Sequence, residues 1–128
     1  MTARNPEDVD RLFGEHLNAG DLDALVALYE PNASLTAAPG QRVTGHAAIR
    51  EALAGFLAAK PRMTMRARTI AQVGDVALTS ANWTLDMTGP DGKPAQMSAQ
   101  SVEVVRRHPD GSWRVVIDEP FGPGAPTA

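Results

Sequence analysis

Apolar residues recur at helical spacing through the first third of the chain and alternate with polar ones through its second half, predicting helices followed by a sheet. Asn5, Pro6, Glu7 and Asp8 form a helix start, with a capping side chain, a proline at the first helical position and acids in the first turn. That helix carries Val9, Leu12, Phe13, His16 and Leu17 on one stripe and stops at Asn18-Ala19-Gly20. Asp21 then caps a short helix through Leu22, Leu25, Val26, Leu28 and Tyr29, which Pro31 terminates. Ala33 to Ala37 reads as a short strand, Pro39-Gly40 as a turn and Gln41 to Val43 as another short strand. Thr44 or Gly45 opens a third helix with Ile49, Leu53, Phe56 and Leu57 at helical spacing, ended before Pro61.

From Met63 onward the pattern predicts long β-segments: Met63 to Val73, Val76 to Met87, Ala95 to His108 and Trp113 to Glu119. Gly74-Asp75 is a two-residue hairpin connection, and Pro109-Asp110-Gly111 fits a type I turn with a following bulge. Strands this long twist and coil, so the sheet should wrap its concave face around the third helix and leave a cavity at the open end. The expectation is an α+β fold, three N-terminal helices on a strongly curved, mostly antiparallel sheet. A single domain covers residues 1–121, and 122–128 form a Gly/Pro-rich flexible tail.

With 128 residues, the chain can bury a core without a staple. Its net charge is −3 and its arginines are scattered, which argues against nucleic acid as a partner. There is no cysteine, and His16, His46 and His108 fall in no metal-ligand spacing, so no metal or other cofactor is expected. No apolar run reaches the length of a bilayer span and the N-terminus lacks a secretory signal, giving an expectation of a soluble, cytoplasmic protein with no membrane partner.

Glu103 and Asp118 interrupt otherwise apolar segments, where a buried carboxylate is costly without a reason. Each is a candidate pocket acid. The alternatives are that Glu103 pairs with a cross-strand arginine such as Arg114, and that Asp118 stands on the solvent side beside Arg114. Alternation separates Met97, Ala99, Ser101, Glu103 and Val105 from Ser98, Gln100, Val102 and Val104 without marking which set faces inward. His16, at the edge of its helix's apolar stripe, is a candidate acid/base or a histidine satisfied at the helix–sheet boundary. Phe13, Tyr29, Phe56 and Trp83 supply an aromatic wall for an apolar ligand, or core packing. Asn82, adjacent to Trp83, and Gln100 are candidate polar contacts to a ligand, and only one of Asn82 and Trp83 can face in.

The order of elements, together with Ala19-Gly20-Asp21-Leu22-Asp23-Ala24-Leu25, Tyr29-Glu30-Pro31-Asn32-Ala33, Gly45-His46-Ala47-Ala48-Ile49 and Asp110-Gly111-Ser112-Trp113-Arg114-Val115, resembles the nuclear transport factor 2-like superfamily. Within it the chain is most similar to SnoaL-like and ketosteroid-isomerase-like bacterial proteins. The resemblance implies a cone-shaped, cystatin-like α+β barrel, usually a homodimer through the outer sheet face, with a pocket between sheet and helices. It implies no single function, since isomerases, polyketide cyclases, dehydratases, epoxide hydrolases and non-catalytic modules share the scaffold. At the positions where the steroid isomerases carry a tyrosine and a basic aspartate this chain has Phe13 and Ala37-Ala38, while Glu103 matches their further protonated acid. Asp118 matches the cyclases' strand aspartate, whose partner histidine has no counterpart here. An epoxide-hydrolase relay would draw on Asp118 with Arg66 or Arg68.

Two functions follow. One is a cofactor-free acid/base enzyme of isomerase, cyclase or dehydratase type, acting on a hydrophobic ring-containing metabolite through Asp118, Glu103 and His16. The other is a non-catalytic ligand-binding or dimeric assembly module.

Overall fold

The computed structural model describes residues 2–123. Among them the chain forms three helices, α1 (Asp8–Ala19), α2 (Leu22–Ala27) and α3 (His46–Leu57), and seven strands: β1 (Tyr29–Ala38), β2 (Gln41–Thr44), β3 (Arg62–Val73), β4 (Val76–Thr88), β5 (Pro94–Gln100), β6 (Val102–Arg107) and β7 (Trp113–Glu119). The strands build one sheet in the order β2-β1-β7-β6-β4-β3, with β5 paired to β4. Every pairing is antiparallel except β1 with β7. This mixed sheet curls without closing and carries the helices on its inner face, an α+β cone. Both long helices line that face, α1 against β3 and α3 against β1, so the sheet does not wrap around the third helix alone. Residues 124–128 of the expected tail lie outside the described residues.

Local chemistry sets most element ends. Asp8 accepts from the backbone and side chain of Asn5, and residues 5–7 form a tight turn, so α1 begins two residues past Pro6. The Asp21 carboxylate caps α2 by accepting from Ala24 N at 3.1 Å. Gly111 closes the β6–β7 turn at φ +83°, a left-handed conformation that glycine adopts without strain.

Three observations depart from the sequence pattern, and each bears on the site. First, α2 ends at Ala27, and Tyr29 opens β1 instead of closing the helix. Val115 N donates to Leu28 O at 2.8 Å, and Tyr29 pairs in parallel with Val115; this tertiary pairing takes the backbone that the helical pattern claims. Pro31 falls where the β1–β7 register shifts, between Tyr29 and Ser34, so its missing N–H breaks no regular ladder.

Second, the segment from Ala95 to His108 is interrupted at Ser101, although β5 and β6 keep one register along β4: Asn82 opposes Gln100, and Thr79 opposes Glu103. At the interruption two serines take over part of the ladder. Ala81 N donates to Ser101 Oγ at 3.0 Å, and Ser80 Oγ donates to Ser101 O at 2.6 Å. Alternation therefore continues through the break, and Ser101, Glu103 and Val105 are all buried.

Third, β7 carries a bulge. Val105 pairs with Val115 but Val104 pairs with Ile117, leaving Val116 as the extra residue. Strict alternation from the buried Trp113 and Val115 would send Asp118 outward with Arg114. The extra residue turns Asp118 inward, where it is 6% exposed.

Ser101→Ala removes the acceptor of a buried N–H and is expected to cost about 1–3 kcal/mol, read as a lower urea midpoint. An unchanged midpoint would mean that Ala81 N–H finds a backbone carbonyl instead.

Candidate active site

Between α1, α3 and the inner sheet face lies a cavity of about 210 Å³. Phe13 from α1, Phe56 from α3 and Trp83 from β4 form its aromatic wall, and Met63, Met65 and Met97 fill the spaces between. Trp83 is anchored through Nε1, which donates to Pro120 O at 2.7 Å, and Phe121 meets it edge-on with ring centroids 6.0 Å apart. A cavity of roughly 150 Å³ holds benzene, so the space suits one substituted ring or two small fused rings.

Into this apolar chamber project three carboxyls, Asp10, Glu103 and Asp118, at 6%, 4% and 6% exposure. Glu103 stands on β6 directly between Thr79 of β4 and Asp118 of β7, its register partners on either side. Thr79 Oγ1 donates to Glu103 Oε1 at 3.1 Å. Asp118 accepts from the wholly buried Tyr29 hydroxyl, at 2.6 Å to Oδ2. Asp10 comes from the first turns of α1. Gly14, one helical turn further on, faces Met65 of β3, and a Cβ there would lie in ordinary contact, 3.4 Å from the Met65 methyl.

None of the three carboxyls has a basic partner among the described residues, and no Lys, Arg or His lines the cavity. Arg114, the alternative partner for both strand acids, lies instead 3.8 Å from Asp110. Burial, reinforced by the charges of Asp118 and Asp10, pushes Glu103 up to about 11. Burial also raises Asp118 to about 7, opposed by the Tyr29 hydrogen bond, and Asp10 to about 6, opposed by a hydrogen bond from Glu103. Burial, followed by the Asp118 charge, holds the Tyr29 hydroxyl well above its usual range, so it remains a donor. Glu103 is thus a protonated acid at neutral pH, within hydrogen-bonding reach of two carboxyls that titrate near neutrality. Asp10 Oδ2 and Asp118 Oδ1 have no hydrogen-bond partner.

A family model for the SnoaL-like domain matches residues 9–116. The chain belongs to the SnoaL-like domain family. Solved structures of the same fold include a nuclear transport factor 2-like superfamily protein from Salmonella enterica serovar Typhimurium, 17% identical with TM-score 0.78, the match covering 95% of this chain and 91% of that one. Another is a ketosteroid isomerase-like protein from Erwinia carotovora atroseptica, 18% identical with TM-score 0.77, covering 88% and 89%. A third is a candidate scytalone dehydratase from Novosphingobium aromaticivorans, 17% identical with TM-score 0.78, covering 88% and 78%. No curated protein matches the chain.

In this SnoaL-like cone the residues singled out from sequence separate into groups. Glu103 and Asp118 face each other in the cavity, and Phe13, Phe56 and Trp83 wall it. Tyr29 stands behind Asp118, fully buried and outside the lining. His16 is half-buried on α1 and outside the lining; six residues from Asp10, it is turned about 120° around the helix. Asn82 and Gln100 form a cross-strand pair on the outer sheet face, exposed beside Arg66, because Trp83 and Glu103 take the inward positions. Asp10 was not among the sequence candidates, since an acid in a first helical turn reads as a dipole partner. The available signal was its spacing, three before Phe13 and seven before Leu17 on the apolar stripe.

All three carboxyls hold their protons more firmly folded than unfolded, so the folded state binds more protons and stability falls as pH rises. The fall runs from the ordinary values of 3.8 and 4.5 through about 6 for Asp10 and about 7 for Asp118, and continues toward about 11 for Glu103. Glu103→Gln is therefore expected to stabilise the fold by on the order of 2 kcal/mol at alkaline pH and by little at acid pH. Denaturant titrations across pH read this difference; a variant less stable at alkaline pH would contradict it.

Proposed function

We propose that this SnoaL-like protein is a cofactor-free acid/base enzyme acting on a small hydrophobic ring-containing metabolite, in a step of isomerase, dehydratase or cyclase type. The observation that supports this reading is the carboxyl cluster: a protonated Glu103 beside Asp118 and Asp10, both raised toward neutrality, in one apolar chamber. Glu103 donates to an oxygen of the substrate as negative charge develops there, the use to which a carboxylic acid kept neutral by an apolar site is suited. Asp118, in the lining of the same chamber, takes a proton from the neighbouring carbon and returns it at another position. Tyr29 is a positioning residue that holds Asp118 through Oδ2. Phe13 and Ala37, at the positions where the steroid isomerases carry polar groups, line this chamber, which leaves steroid isomerisation out of the reading.

A homodimer through the outer sheet face belongs to the same reading. Ile70 and Ile117 are 48% and 38% exposed, and half-buried Leu78 and Val104 share that face, which the helices leave uncovered. A cytoplasmic setting is assumed; no described helix is long and apolar enough to cross a membrane. The second reading, a non-catalytic ligand-binding or assembly module, has in its favour that Ala37 presents no polar group to the cavity.

Incubation with a panel of one- and two-ring ketones in deuterated water tests the catalytic reading. Deuterium should enter beside the carbonyl, at a rate lowered roughly 10²- to 10⁴-fold by Asp118→Asn, while Glu103→Gln slows exchange and retains binding. Exchange no faster than in Asp118→Asn across the panel would favour the binding-module reading. Light scattering at micromolar concentration should give the dimer mass, and a monomer mass would remove the dimer from the reading.

A further inference from the structure

The chamber has two unlike ends. Thr79 and Glu103 are register partners, and four positions further along β4 Trp83 opposes Ala99 of β5. At the rise of a strand that separation is roughly 13 Å. Asp10, Glu103 and Asp118, with the Ser101 hydroxyl beside them, make the inner end, and all four are buried. Toward the other end the lining turns apolar and meets solvent: Ala37 and Met97 are exposed, while Ala52, Phe56 and Phe121 are half-buried. A ring compound carrying one oxygen is therefore held in one sense, oxygen toward the acids and hydrocarbon edge toward the mouth. The reverse placement would lay apolar surface on the acids and strip water from the oxygen against aromatic rings.

Of those five side chains at the mouth, Phe121 is the one whose backbone belongs to neither helix nor strand. Its turn is nevertheless fixed. Trp83 Nε1 donates to Pro120 O at 2.7 Å, Gly122 N donates to Glu119 O at 3.0 Å, and the Phe121 ring meets Trp83 edge-on. Gly122 is required there on two counts: its φ is +74°, and a Cβ would stand 2.8 Å from Gln100 O. The turn thus holds the Phe121 ring where the outer edge of a ligand arrives.

We infer that Phe121 is a specificity-determining residue of the chamber: its ring limits the bulk that a ligand carries on the edge opposite its oxygen, and Gly122 positions that ring. The inference rests on the reading of the chamber as a ligand site, and it does not require the proton-transfer step.

Calorimetric titration of the whole protein with 1-tetralone, 6-tert-butyl-1-tetralone and 2-tert-butyl-1-tetralone tests it, because the bulky group lies remote from the carbonyl in one ketone and beside it in the other. Phe121→Ala should raise the affinity for the 6-substituted ketone, relative to 1-tetralone, by at least about tenfold. The corresponding ratio for the 2-substituted ketone should not move, since its bulk lies toward the acids. Gly122→Ala keeps the ring but drives the turn off Gln100 O, and it should raise the first ratio in the same direction. Melting curves show that each variant is folded, and if Phe121→Ala is not, Gly122→Ala decides. An unchanged first ratio, or equal gains for both substituted ketones, overturns the proposal and leaves the chamber a ligand site. Failure of 1-tetralone to bind the unaltered protein overturns both.

Discussion

Three carboxyls share one apolar interior with no cation among the described residues to balance them, and the rest of the site is organised around that constraint. At interior dielectric, like charges on cross-strand neighbours repel strongly, and each also loses its hydration. The cluster therefore keeps at least one proton at neutral pH, on Glu103. The buried hydroxyls of Tyr29 and Thr79 supply part of the hydrogen bonding that water would otherwise provide. An arginine would have stabilised the fold more simply, but it would have held the acids ionised and left no donor. The protons held on the cluster are the cost in stability at alkaline pH of burying three acids without a cation.

Sheet geometry brings the acids together. Thr79, Glu103 and Asp118 lie in one row across β4, β6 and β7, as direct register partners. The row exists because the bulge at Val116 turns Asp118 inward and because Ser101 and Ser80 carry the ladder across the break between β5 and β6. Helix α1 completes the cluster with Asp10. A strand bulge and a serine-bridged break thus act together on a space about the size of a small ring system.

Membership of the SnoaL-like family fixes the scaffold, and the scaffold alone carries no chemistry. Any chemistry lies in the content of the chamber: Phe13 and Ala37 are apolar, while Asp10, Glu103 and Asp118, with the hydroxyls of Thr36 and Ser101, supply the polarity. The outer face has a different character, with Asn82, Gln100 and Arg66 next to partly exposed aliphatic residues.

The sequence by itself determined the order of elements, the α2 cap at Asp21, the turn at Gly111, the β-rich second half and the two strand acids as the place to look. Those features depend on contacts a few residues apart, which periodicity and turn chemistry express directly. Tertiary structure alone decided where Tyr29 belongs, because pairing with Val115 overrides a helical pattern. It also decided which face Asp118 occupies, because a one-residue bulge reverses alternation and nothing local to Val116 announces it. The place of Asp10 beside Glu103, some ninety residues later in the chain, was set by how α1 lies on the sheet. Hydrophobic patterning shows that a face is buried; only packing selects the other groups buried with it.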